Sequence, residues 1–305
     1  MSFEPKISVV ICSYNRALYI KDAMNSLYHQ TLDKAVYEVI VVDNNSKDNT
    51  PEICHEFIAG HGDAHFLYLT EINQGASFAR NTGAARAQSP LLCFMDDDAI
   101  ADPDYLEKII DFFDAHPDAG GLGGRIIPRY IPSEPKWMSH YVSSLVGHFH
   151  YSEKVSIFAP NKYPLESNMI IRKADFDAIN GFNTALPGVV GTLRIGGEGK
   201  DFFLRLKELG RTIYYDPAIR VEHVVETAKL TREYMYRVAS GIGRGERVRT
   251  RQKSMGAFYK KIAEYLFKLG ASIILGIKYT LQGTPAKALP VIYFRIDALK
   301  GLLNH

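Results

Sequence analysis

The segment Leu91-Leu92-Cys93-Phe94-Met95-Asp96-Asp97-Asp98 joins an apolar run to three consecutive acids. A run of this kind buries both faces of a strand, as the central strands of parallel sheets do. The acids then emerge at its carboxyl end, where open α/β sheets place their ligands. Adjacent like charges repel, and a hard divalent cation with oxygen ligands is their natural counter-charge. The rival reading is a solvated acidic turn ahead of a helix opened by Asp102-Pro103. One acid suffices for a cap, so three point to a cation.

Working outward, the first half of the chain alternates strand and helix. Ile7 to Cys12 is a β-branched run typical of a central parallel strand. Ile20, Ala23, Met24, Leu27 and Tyr28 follow at helical spacing. Val39 to Val42 is a second buried strand ending in Asp43-Asn44-Asn45-Ser46, and Thr50-Pro51 opens the next helix. Phe66 to Leu69 is a short strand, and a small-residue helix runs from Gly75 to Ala87. This alternation predicts an α/β fold with a doubly wound, mostly parallel sheet flanked by helices. After Gly120–Gly124, the Pro-, Tyr- and His-rich stretch 128–164 reads as loops and short helices of the kind that carry specificity. Strand-like order returns at 165–172, 213–215 and 219–225. A helix from Asp201 to Leu209 ends at Gly210.

Bulk properties are those of a folded protein. The chain has 305 residues, 46% hydrophobic and 23% charged, with a net charge of +2 that gives no global pull toward nucleic acid. Cys12, Cys54 and Cys93 read as buried free thiols in a reducing cytoplasm. The residues Met1 to Lys6 run into a strand without the apolar core of a secretory signal. Beyond Thr227 the chain turns basic, then apolar over 262–281 and 289–303. Its longest unbroken apolar stretch, Leu269 to Ile277, is shorter than the ~20 residues a spanning helix needs. Amphipathic helices on an anionic membrane face fit this pattern, as do helices packed on the preceding domain or on a second subunit. The expected organisation is therefore a domain over residues 1–226 and a basic helical region over 227–305. The expected location is the cytoplasm, peripheral to the inner membrane face.

Four motifs in order carry a specific resemblance. Ile7-Ser8-Val9-Val10-Ile11-Cys12-Ser13-Tyr14-Asn15-Arg16 resembles the first strand and turn of family 2 glycosyltransferases. Glu38 to Ser46, with Asp48 and Thr50, resembles their second strand. Asn73-Gln74-Gly75 with Ala79-Arg80-Asn81-Thr82-Gly83 resembles their third segment, and Asp96-Asp97-Asp98 falls on their D-x-D motif. The resemblance covers about residues 5–225. It implies a GT-A fold over residues 1–226, with a nucleotide-sugar-binding half (1–119) and an acceptor and catalytic half (120–226), a nucleotide-sugar donor (a UDP-sugar is expected) and inversion at the anomeric carbon.

It also implies roles. Ser13, Tyr14, Asn15, Arg16, Asp43, Asn44, Gly75, Arg80, Asp96 and Asp97 would contact the donor. Asp96 and Asp98, with His223, would hold Mg²⁺ or Mn²⁺, and Asp97 would be the spacer. Asn44 stands where many members have an acid; its amide oxygen would accept from a uracil N–H, or build an Asx turn. Asn168 resembles an acceptor-side position. The family's usual Glu-Asp pair is Glu198-Gly199 here, so Glu198, ahead of Asp201, is the expected base for the acceptor hydroxyl. Trp137 offers an indole face to a sugar or to packing. The expected partners are the donor, a carbohydrate or lipid-linked acceptor of surface polysaccharide or glycolipid assembly, a membrane surface and a second copy of the chain.

The missing acid at Gly199 keeps a catalytically inactive sugar-nucleotide-binding module as the alternative. A nucleotidyltransferase would want glycines in Ser13–Arg16. A phosphatase would want a hydroxyl or branched residue at Ala99, and a dehydrogenase would want G-x-G-x-x-G after the first strand.

Overall fold

The β-branched run Ile7–Ser13 forms β1, almost wholly buried. The computed structural model describes residues 3–304, so Met1 and Ser2 of the expected leaderless terminus lie outside the described residues. Helix α1 (Ile20–Tyr28) buries Ile20, Ala23, Met24 and Leu27, the residues at helical spacing. Strand β2 (Tyr37–Asp43) and helix α2 (Thr50–Gly60) follow, the latter with proline in its first turn. Next come β3 (Phe66–Thr70), α3 (Ala76–Arg86), β4 (Leu91–Asp96), β5 (Ala99–Ala101), α4 (Tyr105–Ala115) and β6 (Ala119–Tyr130). A short α5 (His140–Ser143), β7 (Ser156–Ile157), β8 (Asn168–Arg172) and α6 (Lys173–Ala178) lead to the hairpin β9 (Gly188–Val190) and β10 (Leu193–Ile195). Helix α7 (Glu198–Glu208) and β11 (Thr212–Val225) precede α8 (Arg232–Lys253), α9 (Met255–Leu281) and α10 (Ala288–Leu303).

The chain divides into two compact units, one built from Met1–Ile127, Phe149–Thr184 and Gly199–His223, the other from Pro128–His148, Ala185–Glu198 and Val224–His305. The first unit holds the central sheet, in the order β3-β2-β1-β4-β8-β6-β11-β5, with β7 paired to β11. Strands β3, β2, β1 and β4 are parallel. Strand β8 pairs antiparallel with β4 and β6, and β11 with β5 and β7, so the expected parallel sheet is extended by returning strands. One apolar core lies on each face of the sheet, one around Ile11, Leu27, Leu106 and Phe113, the other around Val10, Phe94, Phe176 and Phe202. On the second face α3 approaches so closely that a Cβ at Gly83 would lie 2.4 Å from Val10 Cγ1. Only glycine permits that approach.

Two expectations change. Ile213–Tyr215 and Ile219–Val225 are one strand, because β11 continues through Pro217, pairing with β7 at one end and β5 toward the other. Asp102-Pro103 does not open α4, which starts at Tyr105. The Asp102 carboxylate is taken instead by Arg220, at 2.6 Å.

In the second unit α8 and α10 meet backbone to backbone. A Cβ on Gly243 would lie 2.0 Å from Ala298 O, and one on Gly301 1.9 Å from Ser240 O. Arg232 and the buried Asp297 close this packing with an ion pair of 2.6 Å. Trp137 packs at the edge of this unit's core and lines a cavity of about 320 Å³ with Leu230, Met235, Tyr293 and Phe294. Among the described residues no helix is long and apolar enough to cross a membrane.

Candidate functional site

Strand register assembles the site. In the parallel block Ser13 pairs with Asp43, and Cys12 with Asp96, so the ends of β1, β2 and β4 share one edge of the sheet. Strand β8 runs back along β4 with Asn168 opposite Met95, which sets Ser167 beside Asp96; the Ser167 hydroxyl donates to Asp96 Oδ2. Strand β11 runs against β5 with His223 opposite Ala99, one residue beyond the acids.

The outcome is a compact charge cluster. His223 Nε2 lies 3.0 Å from Asp98 Oδ1. Arg16 faces Asp97 at 3.4 Å and Asp98 at 3.8 Å. Arg80 faces Asp96 at 3.7 Å and lies over the Phe182 ring at 5.3 Å. Arg80 is buried, although a helix arginine is ordinarily a surface residue. Asp97, Asp98 and His223 are buried too, while Asp96 keeps about a third of its side chain in solvent. Burial, and then the charge on Asp98, push the Asp97 carboxyl up to about 7, against the pull of Arg16.

Asp96, Asp98 and His223 bring ligand atoms within 4.8 Å of one another. Two carboxylates suit Mn²⁺ or Mg²⁺, and an imidazole beside them favours Mn²⁺ of the two. His223 Nε2 is the ring nitrogen that faces the carboxylates, and imidazole Nε2 is a common cation ligand. The residues present therefore fit a divalent cation.

The loops after β1 and β2 are stitched together. Ser46 Oγ accepts from Asn15 N–H, Thr50 Oγ1 from Arg16 N–H, and Asp48 Oδ2 from Ala17 N–H. Asn15 adopts φ +55°, a conformation asparagine tolerates. This holds Tyr14 and Arg16 at the sheet edge. Asp43 accepts from Ser46 N–H. Asn44 spends its amide on the chain: its oxygen accepts from Gly75 N–H at 2.6 Å, and its nitrogen donates to Glu71 O and Asn73 O. It is a strut between the second and third segments. Asn168 is likewise internal, not acceptor-facing. It is fully buried, accepts from Tyr105 and donates to Arg125 O and Ile219 O.

The segment expected to supply the base is more divided than the sequence implied. Asp201 Oδ2 accepts from Arg205 Nε at 2.8 Å, and that guanidinium also donates to Ile179 O and Gly181 O. Asp201 thus orients a structural clamp. Glu198 is the first residue of α7, is buried, and is grouped with the second unit. Gly199 N–H donates to Glu166 Oε1 at 2.8 Å. Sequence reasoning passed over Glu166 and Ser167; their only signal was position, just ahead of the strand that begins at Asn168.

The chain is 26% identical over 226 residues, 72% of its length and 69% of the relative's, to the Glucosyl-dolichyl phosphate glucuronosyltransferase of Haloferax volcanii. Other curated relatives match about a third of this chain, which covers less than half of their length. Among solved structures, the mannosyltransferase PcManGT of Pyrobaculum calidifontis, in complex with GDP-Man and Mn²⁺, superposes with a TM-score of 0.65 at 16% identity, covering 99% of this chain and 88% of that one. S. aureus TarS 1-349 in complex with UDP gives 0.56 at 18% identity, over 97% and 89%. These two likenesses bear on the fold, the GT-A arrangement. Residues 8–179, more than half of the chain, match the model described as Glycosyl transferase family 2. With the strand order, the acid cluster and this match in agreement, the chain belongs to glycosyl transferase family 2.

Proposed function

We propose that the protein is a metal-dependent, inverting glycosyltransferase that moves a sugar from a UDP-linked donor to an acceptor hydroxyl in surface polysaccharide or glycolipid assembly. The observation that carries this reading is the meeting of Asp96, Asp98 and His223 at the end of β4, with Arg16 and Arg80 beside them. The acceptor oxygen attacks C1 of the donor sugar in line. The bond from C1 to the phosphate oxygen breaks, and its electron pair leaves with the diphosphate. A divalent cation held by Asp96, Asp98 and His223 would supply Lewis-acid neutralisation of that charge. Arg16 and Arg80 add fixed positive charge on the same edge, and a guanidinium fork matches phosphate oxygens. Ser13, Tyr14, Asp43, Gly75 and Asp97 form the donor side, with Asn15 and Asn44 shaping its loops. A carboxylate near the start of α7 takes the acceptor proton, for which Glu198 is the candidate read from sequence.

The bound UDP and GDP-Man of the structural neighbours support a nucleotide-sugar donor. A thermal melt with UDP or GDP, with Mn²⁺ or EDTA, tests the reading. A ligand at a hundred times its Kd adds about 2.7 kcal/mol, so a metal-dependent rise with one nucleotide is expected. No rise with either would refute donor binding.

A membrane-bound acceptor is the further part of this reading. Tyr259, Leu266, Phe267, Ile273, Ile274, Ile277 and Leu281 of α9 are all exposed. At about 100° per residue they fall within a third of the helix circumference, and Lys260 and Lys278 lie along one edge of that stripe. An apolar stripe edged by lysines suits an anionic bilayer surface. The H. volcanii relative is named for a dolichyl phosphate substrate, which is consistent with this. Co-sedimentation with anionic vesicles should be lost in Phe267→Glu/Ile274→Glu. A wild type that ignores vesicles but dimerises through this face would assign it to a second copy.

A further inference from the structure

We propose that Glu166 is the general base of the transfer, filling the place that Gly199 leaves without a side chain; this rests on the glycosyl-transfer reading above. The geometry is specific. A Cβ built on Gly199 would lie 2.3 Å from Glu166 Oε1, 2.6 Å from its Cδ and 2.7 Å from its Cγ. The Glu166 carboxylate therefore occupies the volume into which a residue-199 side chain would project. An acid absent from the helix is supplied from the opposite segment of chain.

Three further observations favour this group. Its Oε1 accepts from Gly199 N–H at 2.8 Å, a bond to an otherwise orphaned donor in the first turn of α7. The positive end of that helix is thereby aimed at the carboxylate. That bond fixes the side chain, while Oε2 makes no hydrogen bond to a described residue and the group is only half-buried. A base needs an oxygen that can reach a substrate proton. Finally, Glu166 is bonded in sequence to Ser167, whose hydroxyl donates to Asp96. The turn just ahead of β8 thus carries both this carboxylate and the hydroxyl that meets the acid cluster. Asp201, by contrast, has an oxygen committed to Arg205 at 2.8 Å, and Glu198 is 6% exposed.

In the step itself, Glu166 Oε2 takes the hydroxyl proton as the acceptor oxygen forms its bond to C1. The electron pair of the broken bond departs on the nucleoside diphosphate. Charge and atoms balance without another reactant.

The test compares Glu166→Gln, Glu198→Gln, Glu166→Ala and Glu166→Ala/Gly199→Asp in the full chain. Nucleotide release from UDP-glucose, UDP-glucuronate and GDP-mannose is followed with Mn²⁺ and water as acceptor, together with UDP binding and thermal melting. Glutamine keeps the carbonyl that caps α7 but removes the base. Glu166→Gln should lower kcat by about 10²–10⁴-fold, with UDP affinity and melting unchanged and the acidic limb of the pH profile lost. With the glutamate gone, the carboxylate that Gly199→Asp introduces in the double variant has room and should restore at least about tenfold over Glu166→Ala. Retention of activity within threefold by Glu166→Gln, or a selective loss in Glu198→Gln, overturns the assignment while leaving glycosyl transfer standing. A wild type that releases nucleotide from none of these donors overturns both.

Discussion

Gly199→Ala separates the structural from the catalytic role of the α7 N-terminus. The new Cβ would stand 2.3 Å from Glu166 Oε1. Ordinary contact between such atoms begins at about 3.5 Å, so the carboxylate must retreat by roughly 1 Å. The obstacle is the far end of a flexible side chain, and the retreat costs little packing. The lost hydrogen bond from Gly199 N–H costs about 1.5–3 kcal/mol at most. Replacing glycine by alanine within a helix returns about 1 kcal/mol. Stability should therefore fall by about 2 kcal/mol or less. Turnover responds far more steeply, because a misplacement of about 1 Å at a reacting group costs on the order of 10²-fold, equivalent to about 2.7 kcal/mol in the barrier. Nucleotide release and thermal melting measured on the same preparation give both numbers. Activity within threefold of wild type would refute the reasoning. A large loss of melting temperature would show that Glu166 serves the fold before it serves chemistry.

Asp98→Ala should abolish Mn²⁺-dependent donor turnover while the melt without metal stays close to wild type; full activity would remove Asp98 from the metal set. Glycine-to-alanine changes in the C-terminal helices should differ in sign. Gly301→Ala drives a Cβ to 1.9 Å from Ser240 O and should destabilise by about 1–3 kcal/mol or more, whereas Gly270→Ala in exposed α9 meets nothing within 4 Å and should stabilise by about 1 kcal/mol. Equal urea midpoints for the two would refute the helix contact. Cys54 and Cys93 are buried as expected, whereas Cys12 is only partly covered; desolvation pushes all three thiols up to about 12, so iodoacetamide at pH 8 should label the native protein far more slowly than the urea-unfolded chain. Rapid uptake of one equivalent by the native state would contradict this.

The α/β character of the first unit was legible in the sequence because its signals are local. The runs Ile7–Cys12, Val39–Val42 and Leu91–Met95 are apolar on both faces, and each passes into polar residues at the same end. Parallel pairing then needs no further information to gather Ser13, Asp43 and Asp96 on one edge. The helical spacing of Ile20, Ala23, Met24 and Leu27 named α1 in the same way. What tertiary structure decided were partners separated widely along the chain. His223 reaches Asp98 only through the register of β11 against β5. Asn44 and Asn168 look equally polar and available in a sequence, yet the fold consumes both amides. Asp201 is diverted to Arg205 by the helical repeat and by the loop that Arg205 must hold. At Gly199 the sequence records a missing carboxylate, and the antiparallel return of β8 brings Glu166 into that volume. Periodicity fixes which face of an element is buried; only the packed register fixes which distant side chain arrives there.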